Sequence, residues 1–156
     1  MARHCLGHAA RRRDEQGDPR RHRRRAQGSM KAVDTSALVE FLLNTERFAA
    51  ASDYFDDELI ATDLVVPESL NALRKIALRH PRTARRVDRS VEVLGQLPID
   101  FVPLQALTDE IWRMRGTVTP YDAAHVAVAR AAGCALLTAD ARLARSVPDG
   151  TSIILV

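Results

Sequence analysis

The sequence predicts an α/β fold, a three-layer α/β/α domain with a central parallel sheet, and three observations predict it. Short apolar runs alternate with helical patterns almost throughout residues 30–156, as in parallel strands joined by crossover helices. Runs such as Ala135-Leu136-Leu137-Thr138 are continuously apolar, which suits strands covered by helices on both faces. Acidic residues follow directly on such runs, at Asp34 and Asp140. In an open parallel sheet that edge is where ligands bind.

Composition narrows the class. A chain of 156 residues accommodates one domain with a substantial core. Hydrophobic residues make up 46% and aromatics only 4%, so Ala, Val and Leu must build that core. No apolar run reaches the roughly 18–20 residues of a membrane helix. Cys5 and Cys134 form no ligand-like spacing, and the expectation is a reduced, cytoplasmic protein.

The net charge of +3 divides unevenly. Residues 1–29 hold nine Arg against Asp14, Glu15 and Asp18, a net of +6, while 14 Lys and Arg against 17 Asp and Glu leave the remainder at −3. The head, with Arg11-Arg12-Arg13 and a second cluster at 20–25, has too little apolar surface to offset the entropy of ordering it. It lacks the apolar stretch of a secretory signal. Disorder is expected there, whether as an RNA-contacting arm, a solvated tail, or sequence that is not natively translated. Met30 opens the first strand directly, so the domain is expected over 30–156.

In chain order, Lys31-Ala32-Val33 forms a strand ending at Asp34-Thr35-Ser36. Ser36 can cap a helix over 37–43, buried through Leu38, Phe41 and Leu42. Asp34 by itself reads equally as a helix cap. A second helix is expected over 46–55 and a second strand over 59–62, with Asp63 capping a helix over 64–78. Pro67 is tolerated in that helix's first turn. Glu68, Asn71 and Lys75 share one stripe, while Leu70, Leu73 and Ala77 face the core. A helix over 82–94 carries Arg82, Arg85, Arg86 and Arg89, read as a solvated face ahead of a phosphate-binding one. A third strand spans 99–104. The helix over 107–115 carries Trp112, read as a core residue ahead of a stacking platform.

The decisive unit is Tyr121-Asp122-Ala123-Ala124-His125, opened by Thr119 or Pro120 and closed by Gly133, with Leu137-Thr138-Ala139-Asp140 following. A short helix at Leu143 and a final strand over 151–155 complete the pattern. Asp34, Glu68, Asp122 and Asp140 are thus expected near one edge of one sheet. Clustered carboxylates raise each other's pKa unless a cation joins them. All-oxygen ligation without a Cys or His cluster points to Mg²⁺ or Mn²⁺. Carboxylate-held Mg²⁺ suggests phosphoryl chemistry.

At these residues the chain resembles a known family. Asp34-Thr35-Ser36-Ala37-Leu38, Glu68 with Asn71 and Leu73, Tyr121-Asp122-Ala123-Ala124, and Leu137-Thr138-Ala139-Asp140-Ala141-Arg142-Leu143 resemble the four acidic motifs of the PIN-domain ribonucleases. More narrowly they resemble the VapC-type toxins of bacterial toxin–antitoxin pairs. The resemblance covers residues 30–156, and Arg115 ahead of Tyr121-Asp122 matches one subgroup. His125, where the family often has an aromatic, and the Arg-rich head depart from it.

The resemblance implies a PIN-like fold and a metal-dependent endoribonuclease acting on tRNA or rRNA. Asp34 and Asp122 would be the core metal ligands, with Glu68 and Asp140 completing the acidic cluster directly or through water. Thr35, Ser36, Asn71 and Thr138 would surround them, the hydroxyls orienting water, metal or carboxylates; capping and strand-end hydrogen bonding are the alternative roles. His125 would meet a phosphate or serve structure. Attack of a metal-activated water would leave 5′-phosphate and 3′-hydroxyl ends. A homodimer and a cognate VapB-type antitoxin are also implied.

Other classes fit less well. A receiver-like phospho-acceptor needs adjacent acids after its first strand, where this chain has Asp34 alone. A haloacid-dehalogenase-type phosphatase needs Asp-x-Asp, where Ser36 fills the third position. The non-enzyme alternative is a catalytically silent PIN-like module that binds RNA or protein.

Overall fold

Five short strands, β1 (Lys31–Val33), β2 (Leu59–Thr62), β3 (Ile99–Val102), β4 (Ala135–Thr138) and β5 (Ile153–Leu155), lie in one sheet in the order β3-β2-β1-β4-β5. Every neighbouring pair is parallel. The computed structural model describes residues 30–49, 52–147 and 150–156. The Arg-rich head, and the disorder expected of it, lie outside the described residues.

Helices fill the crossovers. They are α1 (Thr35–Leu42), α2 (Glu46–Ala49), α3 (Val65–Arg79), α4 (Ala84–Leu94), α5 (Thr108–Arg113), α6 (Pro120–Ala132) and α7 (Ala141–Ser146). The strands step outward from β1 to β2 to β3, and the chain then returns to set β4 on the other side of β1. That reversal opens a crevice between β1 and β4 at their C-terminal ends, where α/β sheets bind ligands. Register makes the two ends level. Val33 pairs with Leu137, so Asp34 emerges beside Thr138 and Asp140 follows close behind.

Pleating sends successive strand residues into two cores, which is why the strands read as continuously apolar. Val33, Leu59, Ala61, Ile99 and Leu137 join Leu38, Leu42, Val65, Leu73, Val87 and Leu94 from α1, α3 and α4. Ala32 and Leu136 join Leu107, Met114, Val126, Val128 and Leu143 on the opposite side. Ser90 donates to the Leu42 carbonyl at 2.7 Å, pinning α4 to the end of α1. Aromatics are few but concentrated: the Phe41 ring stacks on Phe55 at 4.5 Å and meets Phe48 edge-on at 4.9 Å.

Helix α6 is the centre of the domain. Thr119 accepts a hydrogen bond from the Asp122 amide, Pro120 takes the first helical position, and Gly133 ends the helix at φ 62°. Residues 123–129 are all buried, so the helix is enclosed on more than one face. Its alanines make that possible, because they let sheet and helices approach from several sides without bulky side chains.

Several local expectations are corrected. Ser36 lies inside α1, which begins at Thr35, and its hydroxyl turns to Asp34 instead of capping. Asp34 occupies the cap position, yet its carboxylate makes no cap hydrogen bond. Asp63 does not cap α3 through its side chain, since Leu64 holds that position. The helix expected over 46–55 is α2 followed by a 3-10 turn at Ser52–Asp56, with Ala51 outside the described residues. Leu70 is exposed, because α3 buries a narrower stripe centred on Val65, Ser69 and Leu73. Trp112 is not a core residue: it is 65% exposed, because Leu107, Ile111 and Met114 take the core-facing side of this segment. No helix among the described residues is long and apolar enough to cross a membrane.

Candidate functional site

The level ends of β1 and β4 place one carboxylate, Asp34, at the bottom of the crevice, only 6% exposed. Its Oδ2 accepts two short hydrogen bonds, from Ser36 Oγ at 2.6 Å and Thr138 Oγ1 at 2.6 Å. Ser36 Oγ also accepts the Ala139 amide at 2.8 Å, and Thr138 Oγ1 accepts the Asp140 amide at 3.0 Å. The two hydroxyls therefore tie the end of β1 to the turn after β4. They also fix the carboxylate's plane, with Oδ1 left on the His125 side.

On the α3 side, Glu68 Oε2 accepts from Thr35 Oγ1 at 2.5 Å and lies 3.0 Å from His125 Nε2. His125, 3% exposed, also brings Nε2 to 3.6 Å from Asp34 Oδ1. The imidazole thus stands between two carboxylates. Its hydrogen bond holds the Glu68 carboxyl below the usual carboxylate range, against the opposing effect of burial and with help from Thr35. Burial alone would push His125 down. The Glu68 hydrogen bond and the charges of Asp34, Glu68 and Asp122 outweigh it and raise its proton affinity.

On the β4 side, Asp140 caps α7, Oδ1 accepting from the amides of Arg142 at 2.7 Å and Leu143 at 3.1 Å. Burial opposes ionisation, but these amides and the Arg142 charge hold its carboxyl low. Arg142 then bridges Asp122 Oδ2 at 3.4 Å and Asp140 Oδ2 at 3.6 Å. Asp122 is placed by the Thr119 cap in the first turn of α6.

All four carboxylates border one open cleft of about 510 Å³, together with Thr35, Ser36, Asn71, Lys75 and His125. Thr138 lies buried beneath it. The carboxylates stand in two groups, Asp34 with Glu68 beside the His125 imidazole and Asp122 with Asp140 beside the Arg142 guanidinium. Like-charge repulsion among them is thus already met by His125 and Arg142 and by partial exposure. A metal is not the sole physical answer, as the sequence had suggested. Among the described residues no three Asp, Glu, His or Cys side chains form a ready-made metal cage. The donors nevertheless fit a hydrated Mg²⁺ or Mn²⁺, which is held by one or two carboxylates and keeps several waters. Asp34 Oδ1 is a hard oxygen whose partner Oδ2 is already saturated by hydroxyls.

Two features escaped the sequence reading. His125 could be assigned no partner, because only folding brings α6 against Glu68. Arg142 passed as part of a motif, though its position two residues after Asp140 is what lets it reach back.

The chain matches the PIN domain family over residues 31–147. It belongs to the PIN-domain family. Within it the chain is of the VapC type. Ribonuclease VapC9 of Mycobacterium tuberculosis is 35% identical over 114 residues, covering 73% of this chain and 88% of that protein. Ribonuclease VapC3 of the same organism is 34% identical over 126 residues, 78% of this chain and 90% of the relative. Ribonuclease VapC12 is 32% identical over 128 residues, 81% and 99% respectively. The crystal structure of PAE2754 from Pyrobaculum aerophilum is similar in fold, with a TM-score of 0.53 at 24% identity over 81% of this chain and 87% of that one. The three-layer PIN fold read from the sequence is the fold observed.

In this PIN domain the His125–Glu68 pair has a pH signature. The raised His125 affinity stabilises the fold below the ordinary histidine range and is lost as pH rises through the folded value. The lowered Glu68 value stabilises above the ordinary carboxylate range and is lost as pH falls. In metal-free protein, His125→Phe should therefore lower Tm most near about pH 5–6, with the gap to wild type shrinking toward about pH 9. A gap constant across that range would make His125 a packing residue only.

Proposed function

We propose that this chain is a metal-dependent endoribonuclease, the toxin of a toxin–antitoxin pair, hydrolysing phosphodiesters of tRNA or rRNA through Asp34, Glu68, Asp122 and Asp140. The observation that carries the reading is the cleft itself: four carboxylates meet at the crevice between β1 and β4, in a chain whose relatives are named ribonucleases.

Asp34 and Asp122 are the proposed ligands of Mg²⁺ or Mn²⁺, with Glu68 and Asp140 holding the ion directly or through water. When bound, the ion supplies a nucleophilic water at neutral pH and offsets charge developing on the phosphate. The chain supplies the rest. Ser36 and Thr138 lock Asp34 in one orientation, so its free oxygen needs no reorganisation when the substrate arrives. Thr35 and His125 do the same for Glu68. Asn71, beside Glu68 in the cleft wall, is placed to hydrogen-bond water or substrate. In-line hydrolysis leaves a 5′-phosphate and a 3′-hydroxyl. The proposed partners are a cognate VapB-type antitoxin covering the acidic site and a second copy of the chain in a homodimer, in the cytoplasm.

Cleavage of total RNA by the purified chain tests the reading. Discrete fragments should form with Mg²⁺ or Mn²⁺, stop with EDTA, and return on adding the metal back. Undiminished cleavage in chelator would sink the metal reading. A silent binding module draws on one observation, that side chains of the chain itself, His125 and Arg142, already contact the carboxylates. RNA that remains intact with folded, metal-loaded protein would favour it.

A further inference from the structure

A second cleft shares a residue with the acidic one and a third shares residues with the second, and the three differ in chemistry. A basic cleft of about 380 Å³ runs along residues 115–120 to α7, bordered by Arg115, Thr119, Asp122 and Arg142. Asp122 borders both the acidic and the basic cleft. Beyond it lies an apolar cleft of about 530 Å³ with Leu104, Ile111 and Trp112 in its wall. Arg115 and Pro120 border both the basic and the apolar cleft. The clefts form a continuous series in which an acidic wall gives way to guanidinium groups and then to an exposed indole.

We infer that single-stranded RNA lies along this series, with one phosphate beside the cleavage point on Arg142, the next on Arg115, and a neighbouring base on Trp112. The inference rests on the ribonuclease reading and deepens it by giving the substrate a path and a single-stranded form. Arg142 suits the role because its hold on the carboxylates is loose. Contacts of 3.4 and 3.6 Å exceed the 2.7–2.9 Å of a well-formed charge-assisted hydrogen bond, and the side chain is 66% exposed. An arriving phosphate can therefore take the guanidinium from Asp122 and Asp140.

Arg115 is preset in a different way. Its guanidinium lies 5.2 Å from the centre of the Trp112 ring, and it donates to the Trp112 carbonyl at 3.1 Å. The ring is thus steadied by a cation while most of it stays in solvent. Exposed aromatics paired with Arg are the usual platform for unstacked bases, and a duplex would keep its bases from reaching the ring.

Trp112 is the sole tryptophan of the sequence, so its emission reports on this site directly. The probe is a mixed-sequence single-stranded RNA decamer in EDTA, which spares it from hydrolysis, titrated at several KCl concentrations. Wild-type emission should be quenched on binding. Arg115→Gln and Arg142→Gln should each flatten the dependence of log K on log salt by about 0.7, the contribution of one phosphate contact to a single strand. Trp112→Ala, followed by anisotropy of labelled RNA, should weaken binding about 5- to 150-fold with the salt slope unchanged. Slopes equal to wild type in both Arg variants overturn the path. So does unchanged Trp112 emission at saturating RNA, which would assign the apolar cleft to a protein partner. A wild type that cleaves RNA while the variants bind normally refutes the path and leaves the nuclease reading standing. The predicted slopes without any cleavage do the reverse.

Discussion

Asp34→Asn should reduce metal-supported RNA cleavage by about 10²- to 10³-fold while the protein stays folded. The expected loss follows from several kcal/mol of charge stabilisation that a properly held ion supplies, at about 1.4 kcal/mol per factor of ten. Retention of the fold follows from the local hydrogen bonds. Asparagine keeps a carbonyl oxygen to accept from Ser36 and Thr138. Its amide nitrogen takes the place of Oδ1, which faces His125 at 3.6 Å. Melting temperature and Mn²⁺ affinity, measured with cleavage on the same preparation, separate the two roles of Asp34. An unchanged Tm with weakened Mn²⁺ binding and lost cleavage is expected. A variant that loses cleavage only in proportion to its unfolding would make Asp34 a cap that ties β1 to β4.

How much of this site could be read beforehand depends on the range of the interactions. Asp122 was legible because its surroundings are local: Thr119, Pro120 and Gly133 set the limits of α6 by capping chemistry alone. Asp34 and Asp140 were legible as strand-end acids, and the parallel sheet that makes such ends converge follows from the alternation of elements. What Asp34 does with its oxygens was not legible. Ser36 next to a helix start reads as a cap. Its actual preference for Asp34 and the Ala139 amide depends on β4 lying beside β1, 103 residues away in sequence. The same holds for His125, whose partner Glu68 is separated from it by 57 residues. Trp112 failed for another reason. Ring size argues for burial, whereas the side of the helix decides it, and here Leu107, Ile111 and Met114 take the core-facing side. Its exposure matters because it turns a residue read as core into part of the wall of an open cleft.

Thr138→Val should lower both stability and cleavage, and the comparison of the two losses assigns the hydroxyl its role. Valine matches threonine in shape, so packing at this fully buried position is preserved. The hydroxyl donates to Asp34 Oδ2 at 2.6 Å and accepts the Asp140 amide at 3.0 Å. Its removal leaves that amide without its acceptor and Asp34 with one donor in place of two. A buried polar group left unsatisfied costs about 1–3 kcal/mol, and the midpoint of chemical denaturation should fall accordingly. Cleavage should fall further, by about 10- to 100-fold per folded molecule, the usual effect of removing a group that orients a metal ligand from behind. Thr138→Ser keeps the hydroxyl and loses a methyl group, so it should regain most of the cleavage while remaining less stable than wild type. If Thr138→Val is destabilised yet cleaves normally per folded molecule, the hydroxyl serves the strand end and Ser36 alone is enough to orient Asp34. If both activities of the hydroxyl are lost together and serine restores only cleavage, the joint between β1 and β4 is also the device that aims the carboxylate.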